Sequence, residues 1–482
     1  MTIVRILTYF IIGTIPVLFA SVQPWVWSFY AFCMVAGFII FLWHNRVSSN
    51  VFESVNGNKL AVVSFLAISL SLCLPLPPVM LSFLSPTRFH EISTAWNLTD
   101  SHPAWESISY ISGNALTWWV FLLSLVLFFI LLQDLFKDRK TLKIVVFIMI
   151  SIGLLESVYG LIQALTPSLG VLWVDYIEGY MGTARGSFIN RNNFAAFINM
   201  IWPLALGVTF EMNGKVNSLK AILSSDRLNR HALMALGVIV FLLALILTRS
   251  RAGVSSGIVG FMAFMILSRT KKNYVAVQTR ALLCGIIVLF CVYTITIGVG
   301  PIKERFLAIV AESNFRLLVW ADSLSIIKDH PLGIGLRNYE NVFSVYNQSF
   351  VSDKTVVYAH NDYLQLLIET GWVGFVTLIG AFIFFVGKSF RLIRRLDFKD
   401  DPMCFLFAVG AFSGIISLAF HSFFDFNMQI PANCLYFITL LAILSSCTEH
   451  IQKPKSLQST NNDRANYNQP GSISTTRKRK YN

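Results

Sequence analysis

Residues 114–133 read NALTWWVFLLSLVLFFILLQ, twenty consecutive positions without a charge. A helix rises about 1.5 Å per residue, so such a run spans about 30 Å, the thickness of the hydrocarbon layer. Working outward, comparable apolar runs occupy residues 4–21, 24–43, 60–84, 143–165, 192–211, 232–248, 252–268, 281–300, 373–390, 403–420 and 432–448. A membrane barrel would instead show short alternating segments. The reading is an all-α polytopic membrane protein with about 12 transmembrane helices, and 55% hydrophobic against 13% charged residues agrees with it. Pro75, Pro77 and Pro78 interrupt the third run near one end.

Lysine and arginine give the orientation, because cytoplasmic loops carry their excess. With the N-terminus inside, 27 of the 38 basic residues fall on the cytoplasmic side, including Lys137, Arg139, Lys140 and Lys143 and seven in the tail. One long loop, residues 301–372, then lies outside between helices 9 and 10. Residues 1–21 also fit a signal peptide, with Arg5, an apolar core and small residues at Ala20-Ser21; either reading leaves later spans in place. The polar, basic tail 451–482 reads as disordered and close to anionic lipid headgroups. Topology and tail account for the net charge of +13, so no nucleic-acid partner is expected. All seven cysteines lie in or beside apolar runs, which implies no disulfide framework.

Chemistry is sought among polar residues on the outer side. Arg249 and Arg251 sit in a connection of almost no length between two spans, against the positive-inside bias. Arg185-Gly-Ser-Phe-Ile-Asn-Arg191-Asn-Asn-Phe-Ala195 precedes another span, with Asn192 or Asn193 placed to cap it. An arginine fork suits bidentate phosphate binding. Asn314 to Asp329 reads as an amphipathic helix ended by His330-Pro331, with Phe315, Leu318, Ala321 and Ile326 available to pack and Arg316 on another face. His360 opens a further helix that runs to Thr370 and ends at Gly371. A neutral imidazole accepts a proton near physiological pH; Asp362 or a backbone carbonyl is available to orient it. Glu156 is the one clear mid-span ionisable residue and reads more readily as a satisfied core residue than as a cavity floor.

Together these patches resemble the O-antigen ligase and polymerase superfamily. His360-Asn361, nine residues, then Gly371-Trp-Val-Gly374 is similar to its histidine motif, and Arg185–Ala195 to its asparagine-rich motif. Ser250-Arg-Ala-Gly253, Arg316 with Trp320, and His421-Ser-Phe-Phe-Asp-Phe426 recur there too. The resemblance covers roughly residues 145–445. It implies a GT-C-like fold and an inverting glycosyltransferase that needs neither metal nor cofactor. The expected donor is an undecaprenyl-diphosphate-linked glycan, and the acceptor is lipid A-core or a growing polysaccharide at the periplasmic face of the inner membrane. By similarity His360 is the general base. Arg185 or Arg191, Arg251 and Arg316 bind the diphosphate, with Arg249, Asn361 and Asp362 as possible supports. The domains expected are N-terminal helices 1–142, a ligase-like membrane domain 143–450 that includes loop 301–372, and the tail 451–482. Alternatives within the family are a polymerase or a pilin O-glycosyltransferase. Outside it stand a lipid-linked glycan transporter, which would be expected to carry more mid-span charges, and a non-catalytic scaffold.

Overall fold

The computed structural model describes residues 1–44, 57–101, 104–174, 181–212, 226–269, 302–349, 355–396, 398 and 400–449. Its helices are α1 (Thr2–Thr14), α2 (Pro24–His44), α3 (Gly57–Ser71), α4 (Pro78–Leu84), α5 (Pro86–Thr99), α6 (Ser112–Leu135), α7 (Arg139–Leu165) and α8 (Arg191–Met212). They continue with α9 (Asp226–Leu247), α10 (Arg251–Ser268), α11 (Ile302–Asp329), α12 (Tyr339–Tyr346), α13 (Asp362–Ile393), α14 (Pro402–His421) and α15 (Pro431–Glu449). Among the described residues extended pairing is confined to two isolated bridges, Leu76 with Glu106 and Val171 with Val174.

Eight of these helices, α2, α6, α7, α8, α10, α13, α14 and α15, are long and apolar enough to cross a membrane. Shorter apolar stretches lie in α1, α3 and α9, where the sequence suggests further spans. The expected span at 281–300 and the tail 451–482 fall outside the described residues. The proline-rich end of the third run does break: α3 stops at Ser71, and α4 and α5 follow, each with a proline in its first turn. α1 is built into the bundle, with Val4, Ile11 and Ile12 in the core and the Tyr436 hydroxyl donating to the Ile12 carbonyl.

Apolar side chains gain little from meeting each other where the alternative is lipid, so close packing and polar links must hold the helices together. α8 and α14 form the centre. Their backbones nearly touch: a Cβ on Gly207 would come 2.8 Å from the Leu406 carbonyl oxygen, and one on Gly414 2.7 Å from that of Met200. Asn199 of α8 donates to the Gly253 carbonyl and Ser256 hydroxyl of α10, and Ser417 of α14 donates to the Ser256 carbonyl. Each such bond is worth about 0.6 kcal/mol on average, enough to fix register but not to carry the stability. At one end of the bundle Arg5 pairs with Asp138 and Arg139 with Asp401. The site residues lie at the other.

The described residues between 302 and 371 form a small helical layer with its own core of Val319, Ile326, Ile334, Tyr339, Phe343, Ala359 and Ile368. α11 begins well before the expected Asn314, and its packing face is rotated from the one expected. Phe315 and Leu318 are exposed, whereas Val319, Asp322, Ser323 and Ile326 are buried. The reason is Asp322, whose carboxylate accepts from the Gln348 and Ser349 backbones and the Ser349 hydroxyl; satisfying it turns that face inward. The layer joins the bundle at Gly371, where φ is +65° and ψ −177°, so α13 is two helical pieces meeting at the residue where the sequence places a stop.

Candidate active site

His360 sits at the tip of the connection into α13 with φ of +50°, a left-handed conformation uncommon outside glycine. Three contacts hold it there. Asn361 caps α13, its side chain accepting from the Tyr363 and Leu364 amides. Gln365 accepts from the Ala359 amide. Trp320 donates its indole N–H to the Ala359 carbonyl at 2.9 Å. Arg316 stands one turn before Trp320 on α11.

The group facing His360 is Asp425, in the turn between α14 and α15. His360 Nδ1 lies 3.5 Å from Asp425 Oδ1, an ion-pair distance longer than a well-formed hydrogen bond. Catalytic contacts are often this loose before substrate binds. Asp425 is fully buried, and burial pushes its carboxyl up. The neighbouring His360, with smaller contributions from His421 and Arg316, outweighs that and holds it below the usual carboxylate range. An ionised carboxylate behind an imidazole fixes the ring and stabilises the imidazolium that proton uptake creates.

Asp362, expected to support His360, is engaged elsewhere. Its buried carboxylate accepts from the Met428 amide at 3.1 and 3.2 Å, and its own amide donates to the Ser422 carbonyl. It staples the start of α13 to the 422–430 turn and thereby holds Asp425 in place. Neither Asp362 nor a backbone carbonyl is the orienting partner at Nδ1; Asp425 is the residue that sequence reasoning missed. Its signal was present in the His421–Phe426 motif, which carried no assigned role.

The arginines form a second group. Ala184 donates its amide to the Leu247 carbonyl at the end of α9, which sets the Arg185 loop beside the Arg249–Arg251 turn. Gly253 packs against Ala195, bringing α10's first turn to the asparagine-rich motif. Arg185 is buried at 2% exposure, Arg191 is half-buried, and Arg249 and Arg251 are exposed. Glu156 accepts from the Ser187 amide at 2.7 Å, and the Ser187 hydroxyl donates to the Pro16 carbonyl. Glu156 is thus a satisfied core residue that moors the Arg185 loop. The cap of α8 is Asn190, accepting from the Asn192 amide, rather than Asn192 or Asn193. Asn193 is buried and donates to the Asn427 side chain, two residues beyond Asp425. Through that bond the arginine group and the histidine group share the 422–430 turn.

A buried carboxylate behind a partly exposed histidine, with arginines gathered on neighbouring turns, suits proton removal from one reactant and binding of an anionic second one. Residues 236–379 match the O-antigen ligase family model. The chain is O-antigen ligase-like over that stretch, as its motifs indicate. The match runs from α9 into α13 and so includes Arg249, Arg251, Arg316, Trp320 and His360. Arg185, Arg191 and Asp425 lie outside the ligase-like stretch and are tied to it by the contacts just described. No curated protein matches the chain.

If Trp320 positions the ligase-like histidine loop, Trp320→Phe should leave the bundle intact and loosen the loop. Losing that hydrogen bond costs roughly 1 kcal/mol locally. Amide exchange at residues 359–361 should quicken while the melting temperature of the whole protein stays within a few degrees; unchanged exchange there would show that the indole N–H has no such role.

Proposed function

We propose that this protein is an inverting glycosyltransferase that moves a glycan from undecaprenyl diphosphate to an acceptor hydroxyl, in the manner of an O-antigen ligase. The observation that carries the reading is the 3.5 Å contact of His360 Nδ1 with the buried Asp425 carboxylate. His360 takes the proton from the acceptor hydroxyl, the oxygen forms a bond to the anomeric carbon, and the bond from that carbon to the diphosphate breaks. The departing diphosphate keeps the electron pair. Arg316, Arg251 and either Arg185 or Arg191 stabilise the charge it gains, with Arg249 beside them; removing one such fixed donor typically costs about 10²–10³ in rate. No metal or cofactor is required by this scheme.

On this reading the site faces the periplasm from a GT-C-like bundle of about 12 spans in a bacterial inner membrane, with both termini cytoplasmic; the excess of lysine and arginine in the opposite loops supports that orientation. Residues 143–450 form the catalytic domain, with 1–142 as preceding helices. Lipid A-core is the acceptor we favour, ahead of a growing polysaccharide or a pilin. The test is transfer by purified protein in detergent, with an undecaprenyl-diphosphate-linked repeat as donor and lipid A-core as acceptor. Chelator-resistant ligation to core is the expected result. Chain extension of the donor without ligation would establish a polymerase, and lipid movement across vesicles without transfer would establish a transporter.

A further inference from the structure

Arg337 is an unusual residue to find where it is. Its backbone has φ of +61°, a conformation that glycine adopts without strain and arginine does not. Non-glycine residues held in this region concentrate at ligand sites, where the side chain is needed in spite of the backbone cost. The guanidinium lies 4.1 Å over the Trp118 ring of α6 and donates to the Tyr358 hydroxyl at 3.0 Å. Tyr358 in turn stacks on Phe426, with ring centroids 4.3 Å apart and planes 24° apart. Phe426 meets the His360 ring edge-on at 5.1 Å. Tyr358, Phe426 and Arg337 are all partly exposed. A short line of groups therefore runs from a held arginine, through two stacked aromatic rings, to the candidate base.

We propose that Arg337, Tyr358 and Phe426 form the subsite for the acceptor sugar. This rests on the glycosyltransferase reading above. The base must touch the hydroxyl it deprotonates, so the walls adjoining His360 meet the sugar that bears that hydroxyl. Aromatic rings with a few fixed polar groups are the usual lining of a small-molecule site, and an aromatic face accepts the apolar C–H face of a pyranose. Arg337 supplies rigid donors to ring hydroxyls on the same sugar, with Trp118 beneath it as a support. The diphosphate, by contrast, falls to the arginines near Arg185, Arg251 and Arg316.

The deciding variant is Arg337→Gly, because it relieves the backbone while deleting the donors. Full-length wild-type and variant protein are compared in detergent with the donor and lipid A-core used above, varying each substrate separately. The expected result is an acceptor KM raised about tenfold, the loss of one charge-assisted hydrogen bond. The donor KM stays within twofold, and the melting temperature falls no lower than wild type. Tyr358→Phe, which removes only the hydroxyl that Arg337 holds, should raise the acceptor KM in the same direction by less. An unchanged acceptor KM in Arg337→Gly overturns the subsite. So does a parallel loss of donor binding or of melting temperature, which would mark Arg337 as structural. Wild-type protein that transfers to no acceptor defeats the glycosyltransferase reading itself, an outcome distinct from both.

Discussion

His360→Asn lowers glycan transfer by about 10²–10⁴, the span typical of losing a general base. Asparagine is the informative replacement. His360 has φ of +50°, and asparagine tolerates left-handed backbone where alanine is strained, so the loop keeps its shape and only the base is lost. Donor binding should persist, because the arginines proposed to hold the diphosphate are untouched. The measurement is initial rate of transfer with the purified variant, alongside its melting temperature. A wild-type rate from folded His360→Asn protein ends the proposed mechanism. Asp425→Asn is the companion variant. It keeps the shape of the buried side chain at the 3.5 Å contact while removing the charge that stabilises the imidazolium, so it should slow transfer without blocking donor binding.

Gly371→Val should cost the protein its folded loop. At φ of +65° and ψ of −177° the backbone occupies a region open essentially to glycine alone, and other residues there carry about 1–3 kcal/mol of strain. A side chain would also be driven into the Pro331 and Leu332 backbone, which the Trp372 amide approaches to donate at 3.1 Å. Overpacking of a close contact adds typically 1–3 kcal/mol more. Both penalties fall at the joint between the 302–371 layer and the membrane helix. The expected outcome is rapid proteolysis within residues 302–371 in membranes where wild-type protein resists, together with loss of transfer. Gly380→Ala, in the same helix with open space around it, serves as the control and should behave as wild type.

Membrane helices were legible because their signal is long and local. The run at 114–133 became α6 almost residue for residue. The stop at Gly371 and the break after the third run were also readable, since glycine and proline act on their own neighbours. Other features depended on partners distant in sequence. Which face of α11 turns inward was decided by Asp322 meeting Gln348 and Ser349, and hydropathy alone pointed to Phe315 and Leu318 instead. The partner of His360 lies 65 residues away in Asp425, beyond two further helices. Asp362 was the nearer carboxylate along the chain, yet the start of a helix directs it to the Met428 amide. Arg337 gave no sign in the sequence, because its strained φ is visible only in three dimensions.

The turn at 422–430 has a consequence for anyone rebuilding this protein. The loop that carries Arg316, Trp320 and His360 looks like a cassette, a continuous segment that one might graft onto a relative to change its acceptor. It is not self-sufficient. Its histidine meets a carboxylate from the far side of α13 and α14, and that same turn grips Asn193 and Asp362. A chimera that exchanges residues 302–371 alone would import a histidine and leave its counter-ion behind. On the proposed mechanism, loop and turn have to be moved together.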